Sequence, residues 1–131
     1  MKLSDYSRNK FRATFAHWHV PKDFADPFYN YLVFGFSPGS CFTAVLANDF
    51  MDVMSRSHPA NTVEAFKALV GWMRDSMPRS SYGSYEAVDA WIRLTADQRR
   101  DILEQHNLIF TAKAETWLII KGDPIQEPVL Y

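Results

Sequence analysis

Residues 38–50 read Pro-Gly-Ser-Cys-Phe-Thr-Ala-Val-Leu-Ala-Asn-Asp-Phe, a turn followed by an apolar run that closes on an amide and a carboxylate. The dipeptide Ser37-Pro38 is typical of a helix start, because serine can cap a first turn and proline suits its backbone angles. In a helix from Ser37 to Ser55 the apolar side chains form one broad face and Asn48 lies opposite. Asp49 falls on neither face. We therefore predict a continuous helix over 37–55 that buries a carboxylate.

Start signals and helical spacing recur along the chain. Phe11, Phe15 and Trp18 predict a helix over 7–18. Further helices are predicted over 26–34 with Gly35 as the stop, over 61–77 with Asn61 as the cap, from Ser84, and from the capping box of Thr95 and Gln98 to about Asn107. The fold class is therefore mainly α, a compact bundle of about five helices. Residues 108–121 fit either a small C-terminal β-hairpin or a helix.

Length and composition indicate one domain with a large aromatic core. The chain has 131 residues, of which 47 % are hydrophobic and 15 % aromatic, which excludes a disordered chain. We expect one domain made of a basic N-terminal helix or arm (1–22), a helical body (23–107) and a C-terminal segment with an extended tail (108–131). No membrane-spanning run or signal peptide is evident, and the single cysteine, Cys41, suits a reducing compartment. A cytoplasmic protein with no membrane partner is expected.

Charge is distributed unevenly although the net charge is only −1. Residues 1–22 carry five basic side chains and one acidic side chain, Asp5, so the rest of the chain is acidic. Such an arm either docks on its own body or contacts phosphate or an acidic partner. The absence of a second basic stripe disfavours duplex nucleic acid.

Several polar or aromatic residues stand out as binding candidates. Arg99 and His106 share the inward face of the last predicted helix, so we expect Arg99 to pair with buried Asp49. Ser40 opens a helix at a turn that can receive an anion, and Trp72 and Trp91 can stack a ring although core packing accounts for them as well. The ligand-binding candidates are Ser40, Asn48, Asp49, Trp72, Trp91, Arg99 and His106. We expect a cavity between 40–49 and 99–106; no catalytic residue, metal ligand set or cofactor motif is assigned.

The run from Pro38 to Asp49 resembles a motif of small uncharacterised proteins of tailed bacteriophages and prophages. The motif is Pro-Gly-Ser-x-Phe-x-Ala-Val-Leu-x-Asn-Asp. Residues that fit the same pattern are Tyr31, Leu32, Gly35, Asn61, Trp72, Pro78, Gly83, Ser84, Val88, Trp91 and Ile92. The similarity spans about half the chain and implies a phage origin, hence the cytoplasm of a host cell. It implies no catalytic site.

Three functions follow as hypotheses. The favoured one is a small phage accessory binding protein, in a counter-defence role, that captures a nucleotide-type host signal or occupies a host protein. The second is a small enzyme that uses Asp49 with Arg99 or a histidine. The third is a nucleic-acid-associated protein that acts through the basic arm. The oligomeric state stays open.

Overall fold

This computed structural model describes residues 3–58 and 60–121. These residues contain eight α-helices and two short 3-10 turns, which are joined by loops. The helices are α1 (Leu3–His17), α2 (Ala25–Phe34), α3 (Ser40–Leu46), α4 (Phe50–Arg56), α5 (Val63–Ser76), α6 (Tyr85–Arg93), α7 (Ala96–Gln105) and α8 (Ala112–Lys121). The described residues contain no strand. The mainly helical class is confirmed, and the expected number of about five helices is too low.

Side-chain caps set the starts of α4 to α7, whereas α2 and α3 begin without one. The start predicted at Ser37 is wrong, because α3 begins at Ser40. Ser84 and Thr95 cap α6 and α7, and Thr95 forms the predicted capping box with Gln98. The cap of α5 is Thr62 rather than the expected Asn61, because the Thr62 hydroxyl accepts the N–H of Ala65 at 3.1 Å. Gly35 ends α2 in the left-handed conformation, with φ +70°.

The predicted helix over 37–55 is wrong in its continuity. Asn48 adopts a left-handed conformation with φ +61°, which breaks the helix into α3 and α4. Asparagine tolerates this conformation better than most residues, and Asp49 can cap a new helix, so the pair favours a restart over continuation. The apolar face expected across the whole segment is therefore split between two short helices.

The C-terminal hairpin is also wrong, since 112–121 form α8. Thr111 starts this helix by accepting the N–H of Ala114 at 3.1 Å. Alanines at 112 and 114 favour helix, which outweighs the β-branched residues that follow. The tail expected beyond Lys121 lies outside the described residues.

Aromatic side chains from α1, α2 and α5 build the core. The rings of Phe15 and Trp72 lie 4.2 Å apart between centroids, and Phe11 meets Trp72 edge-on at 5.4 Å. Phe28 adds a further edge contact to Trp72 at 5.9 Å. All four side chains are fully buried. The predicted stripe of α1 therefore anchors the N-terminal helix to the body.

The basic side chains of α1 are directed at the body as well. Arg12 donates two hydrogen bonds to one carboxylate oxygen of Asp26 and one to the other, at 3.1–3.3 Å, and Arg8 adds a bond at 3.3 Å. The Arg8 guanidinium also lies 4.4 Å from the ring centroid of Tyr29. Of the two interpretations of the arm, docking on its own body is the one that these contacts favour.

Candidate functional site

Asp49 lies at the junction of α3 and α4 and connects α4 to α6. Its Oδ1 atom accepts the backbone N–H of Asp52 at 3.2 Å, which caps α4, and its Oδ2 atom accepts the hydroxyl of Tyr85 at 2.7 Å. The hydrogen bond to Asp49 raises the pKa of Tyr85 to about 12, since it stabilises the protonated phenol. Asp49 is half-buried. Its carboxylate is a capping group beside a surface opening.

The expected pair between Asp49 and Arg99 does not form. Arg99 is 6 % exposed and donates to three backbone carbonyls, those of Val33 at 3.2 Å, Ile92 at 3.2 Å and Leu94. These carbonyls lie near the ends of α2 and α6, where helices leave acceptors without partners. The guanidinium therefore joins α2, α6 and α7, and it is not available to a ligand beside Asp49.

The two candidate tryptophans belong to the core. Trp72 is fully buried, and its indole N–H donates to the hydroxyl of Thr14 at 2.9 Å. Trp91 is 1 % exposed, and its indole N–H donates to the carbonyl of Leu32 at 3.2 Å. Neither ring offers a face to a ligand. The packing explanation of these residues holds.

Ser40 and His106 are both exposed and belong to different parts of the fold. Ser40 is the first residue of α3, and His106 follows the last residue of α7. The inward orientation expected for His106 is wrong, because α7 ends at Gln105. Of the seven candidates, the structure brings only Asn48 and Asp49 to one cavity.

That cavity is an apolar groove of about 380 Å³ between α3, α4 and α5. Its lining from α3 and the junction is Ala44, Val45, Asn48 and Asp49. Its lining from α4 and α5 is Phe50, Val53, Met54, Val63, Phe66, Lys67 and Val70. We use "the groove" for this set. The packing of α4 is mainly against α3, which leaves the side toward α5 open.

Large apolar side chains stand exposed around the groove. Phe50 is 68 % exposed, Val63 69 % and Val70 46 %, and Met54 is also exposed. These four groove residues are called the rim. Single exposed apolar residues are ordinary, but several around one concave surface are typical of an interaction site. Covering one such side chain completely is worth roughly 1.5–3 kcal/mol.

Charged groups are sparse in the groove. Among the described residues that line it, Asp49 is the one carboxylate and Lys67 the one cation. Nearby Cys41 is partly buried, and burial, with a smaller contribution from the charge of Asp52, raises the pKa of its thiol. A thiol that is held protonated is a poor nucleophile.

A second cavity of about 410 Å³ surrounds a polar network between α1, α7 and α8. Glu115 is 1 % exposed and accepts from the Ser7 hydroxyl and, at 3.2 Å, from Arg100. Ser7 in turn accepts the N–H of Phe110 at 3.0 Å. Each polar group in this network has a protein partner, so the network fastens α8 to the body.

Sequence reasoning missed Val63, Lys67 and Val70 as groove residues. The spacing of Val63 and Val70, seven apart on α5, suggested a single inward face. One feature of the sequence indicates an exposed part of this face. The apolar face of α5 is wider than one neighbouring helix can cover.

Comparison with protein-family models, curated proteins and solved structures gives no match. Across 3–58 and 60–121, no helix is long and apolar enough to cross a membrane. The same residues contain no group of three or more His, Cys, Asp and Glu side chains arranged to hold a metal ion.

Proposed function

We propose that the chain is a small phage accessory binding protein that acts by occupying a host protein through the groove. The observation that supports this is the rim, where four large apolar side chains are exposed to water around one apolar cavity. An apolar segment of another protein, placed in the groove, removes that surface from water. The phage origin and the counter-defence role are supported by the resemblance in the run from Pro38 to Asp49.

Protein binding accounts for the groove better than capture of a nucleotide. Phosphate groups are bound by arginines, lysines and free backbone N–H groups. The groove offers Lys67, while Arg99 is already bonded to three carbonyls elsewhere. A mostly apolar lining also gives a charged ligand little compensation for lost hydration.

Catalysis and nucleic-acid binding have less support. Asp49 is engaged as a helix cap and as the acceptor of Tyr85, and no imidazole lines the groove among the described residues. In the basic arm, Arg8 and Arg12 are paired with Asp26. These pairs reduce the positive charge that α1 can direct at phosphates.

A photo-crosslinking experiment tests the proposal in bacterial host cells. A benzophenone amino acid replaces Val70 in the groove, and a matched variant replaces Arg93, an exposed residue of α6 away from the groove. We expect a discrete crosslinked protein for the first variant and not for the second. Equal crosslinking from both positions, or from neither, contradicts the proposal.

Binding of that crosslinked protein, once purified, is then compared between Phe50→Asp and Ile120→Asp. Both positions are highly exposed on helices, but only Phe50 lies in the groove. We expect Phe50→Asp to abolish binding and Ile120→Asp to retain it.

Thermal unfolding with cyclic and linear nucleotides tests the nucleotide hypothesis. A ligand at about 100 times its dissociation constant stabilises the fold by roughly 2.7 kcal/mol, a shift of several degrees. We expect no shift. A shift that disappears in Asp49→Asn would replace the protein-binding proposal with nucleotide capture.

A further inference from the structure

We propose that a second copy of this chain covers the groove when no other protein does, in a symmetric dimer. This inference rests on the proposed function, since it takes the groove to be a protein-docking surface. It adds a second occupant for that surface and, with it, a means of regulation.

The shape of the surface favours contact with a second copy. Phe50 projects from α4, at 68 % exposure, beside a hollow of about 380 Å³. A water molecule takes about 30 Å³ in the liquid, so the hollow has room for about a dozen waters or for large side chains. A two-fold interface uses the same patch twice and therefore needs a patch that complements itself. Projecting side chains beside a hollow meet that requirement.

Charges on the two sides of the groove are complementary. The α4 side of the groove carries the Asp49 carboxylate and the α5 side carries the Lys67 ammonium. A two-fold axis along the groove lays α4 of one copy against α5 of the other, which sets the side that carries Asp49 opposite the side that carries Lys67. Asp52 and Tyr85 donate one hydrogen bond each to the two oxygens of Asp49, which leaves lone pairs for a lysine. Within the described residues Lys67 forms no ion pair, so its ammonium is available for this contact.

Dimerisation and capture of another protein then exclude each other. The same rim cannot contact a second copy and a different protein at one time. Dilution, or a partner that binds the groove more tightly, releases the active monomer.

Sedimentation velocity of the full chain over a dilution series tests the inference. We expect the mass to rise with concentration from 15.1 kDa toward twice that value. Phe50→Asp should stay monomeric, and Ile120→Asp, the matched change on α8, should associate as the parent chain does. Circular dichroism of each variant checks that it is folded.

Two milder variants test the charge contact. Asp49→Asn and Lys67→Gln should each weaken association about two- to thirtyfold, because each variant removes both exposed ion pairs of the two-fold dimer, and the double variant should weaken it no further. The inference is overturned if the parent chain stays monomeric up to about 1 mM. At that concentration only association weaker than about 4 kcal/mol escapes detection. Loss of association in Ile120→Asp, or additive effects of the two charge variants, also overturns the inference. A monomeric chain that still crosslinks to a host protein through position 70 overturns the dimer and leaves the proposed function standing.

Discussion

At the scale of single residues, Gly35 and Arg99 depend on each other. Gly35 has φ +70°, and a Cβ atom added there would lie 2.8 Å from one guanidinium nitrogen of Arg99. Gly35→Ala therefore combines left-handed strain of about 1–2 kcal/mol with displacement of a buried charged donor, worth about 1–3 kcal/mol. We expect a total loss of about 2–5 kcal/mol in urea unfolding.

The control for this prediction is the same change made in Arg99→Ala. Without the guanidinium the added methyl group has space, so Gly35→Ala should cost only the strain of about 1–2 kcal/mol. An equal cost in both backgrounds would show that the close approach has no energetic consequence.

Tyr85 and Asp49 form a pH-sensitive pair at the groove. The hydrogen bond from the Tyr85 hydroxyl to Asp49 raises the phenol pKa to about 12. Because the folded-state pKa lies above the unfolded value of about 10, the pair stabilises the fold below pH 10 and loses this effect as the pH rises toward 12.

Carbon-13 NMR of labelled tyrosine rings measures this pKa, with Tyr85→Phe to assign the resonance. In Asp49→Asn the phenol pKa should fall toward 10. If the pKa of Tyr85 is unchanged in this variant, Asp49 does not accept a hydrogen bond from the Tyr85 hydroxyl.

The types of the important polar residues could be predicted, but their partners could not. Asp49 and Arg99 were identified as residues that need polar partners, and both have them. Their partners come from segments distant in sequence, namely Tyr85 for Asp49 and the carbonyl of Val33 for Arg99. Helical periodicity places a residue on a face and carries no information about which backbone carbonyl lies opposite.

At the scale of helices, capping residues predicted where a helix starts better than they predicted how long it is. Ser84 and Thr95 start helices where expected. The break at Asn48 was missed because the apolar period continues across it, and period alone cannot distinguish one helix from two short ones. A continuous helix places Phe50 and Met54 on its broad apolar face, and in the structure both are exposed.

The attachment of α8 depends on Arg100 and Glu115. Arg100→Ala leaves the buried Glu115 carboxylate without its cation, and we expect a loss of about 1–3 kcal/mol, since Arg100 is itself 35 % exposed. The matched control is Arg93→Ala, which breaks an exposed pair with Asp89 and should cost about 0.3–0.5 kcal/mol. Chemical unfolding of both variants makes the comparison. Equal small losses would contradict a structural role of the network.

Docking of α1 on α2 should depend on acidic pH through Asp26. Burial alone raises the pKa of the Asp26 carboxyl, but the hydrogen bonds and charges of Arg12 and Arg8 outweigh burial and lower it. A lowered pKa means that the pair stabilises the fold above about pH 4 and that this contribution is lost as the pH falls through the folded-state value.

Asp26→Asn should therefore flatten the dependence of unfolding free energy on pH between about 2 and 5. Asp89→Asn, in the exposed pair with Arg93, is the control. If the unfolding free energies of the parent chain and Asp26→Asn depend on pH in the same way, the contact of Asp26 with Arg8 and Arg12 does not contribute to stability.

At the scale of the whole molecule, composition predicted an aromatic core and the structure contains one, with Phe11, Phe15, Phe28 and Trp72 fully buried. The groove could not be predicted. It exists because α3 and α4 meet at a turn at Asn48 and because α4 leaves a gap beside α5. Such gaps depend on how short helices are oriented in space, which the hydrophobic pattern does not specify.

The central claim is that the groove binds another protein. Oxidation of the chain's methionines can test it. Met54 is exposed at the rim, whereas Met73 and Met77 are buried in the core. Peroxide oxidises exposed methionines preferentially. An added methionine, Ile120→Met, is a reference on an exposed position of α8 outside the groove.

The decisive measurement is mass-spectrometric quantification of methionine oxidation, at a protein concentration low enough for the monomer, in buffer and in host lysate. We expect lysate to protect Met54 relative to the methionine at position 120, while Met73 and Met77 stay unreactive in both. A ratio of Met54 oxidation to reference-methionine oxidation that is the same in lysate and in buffer would contradict the claim.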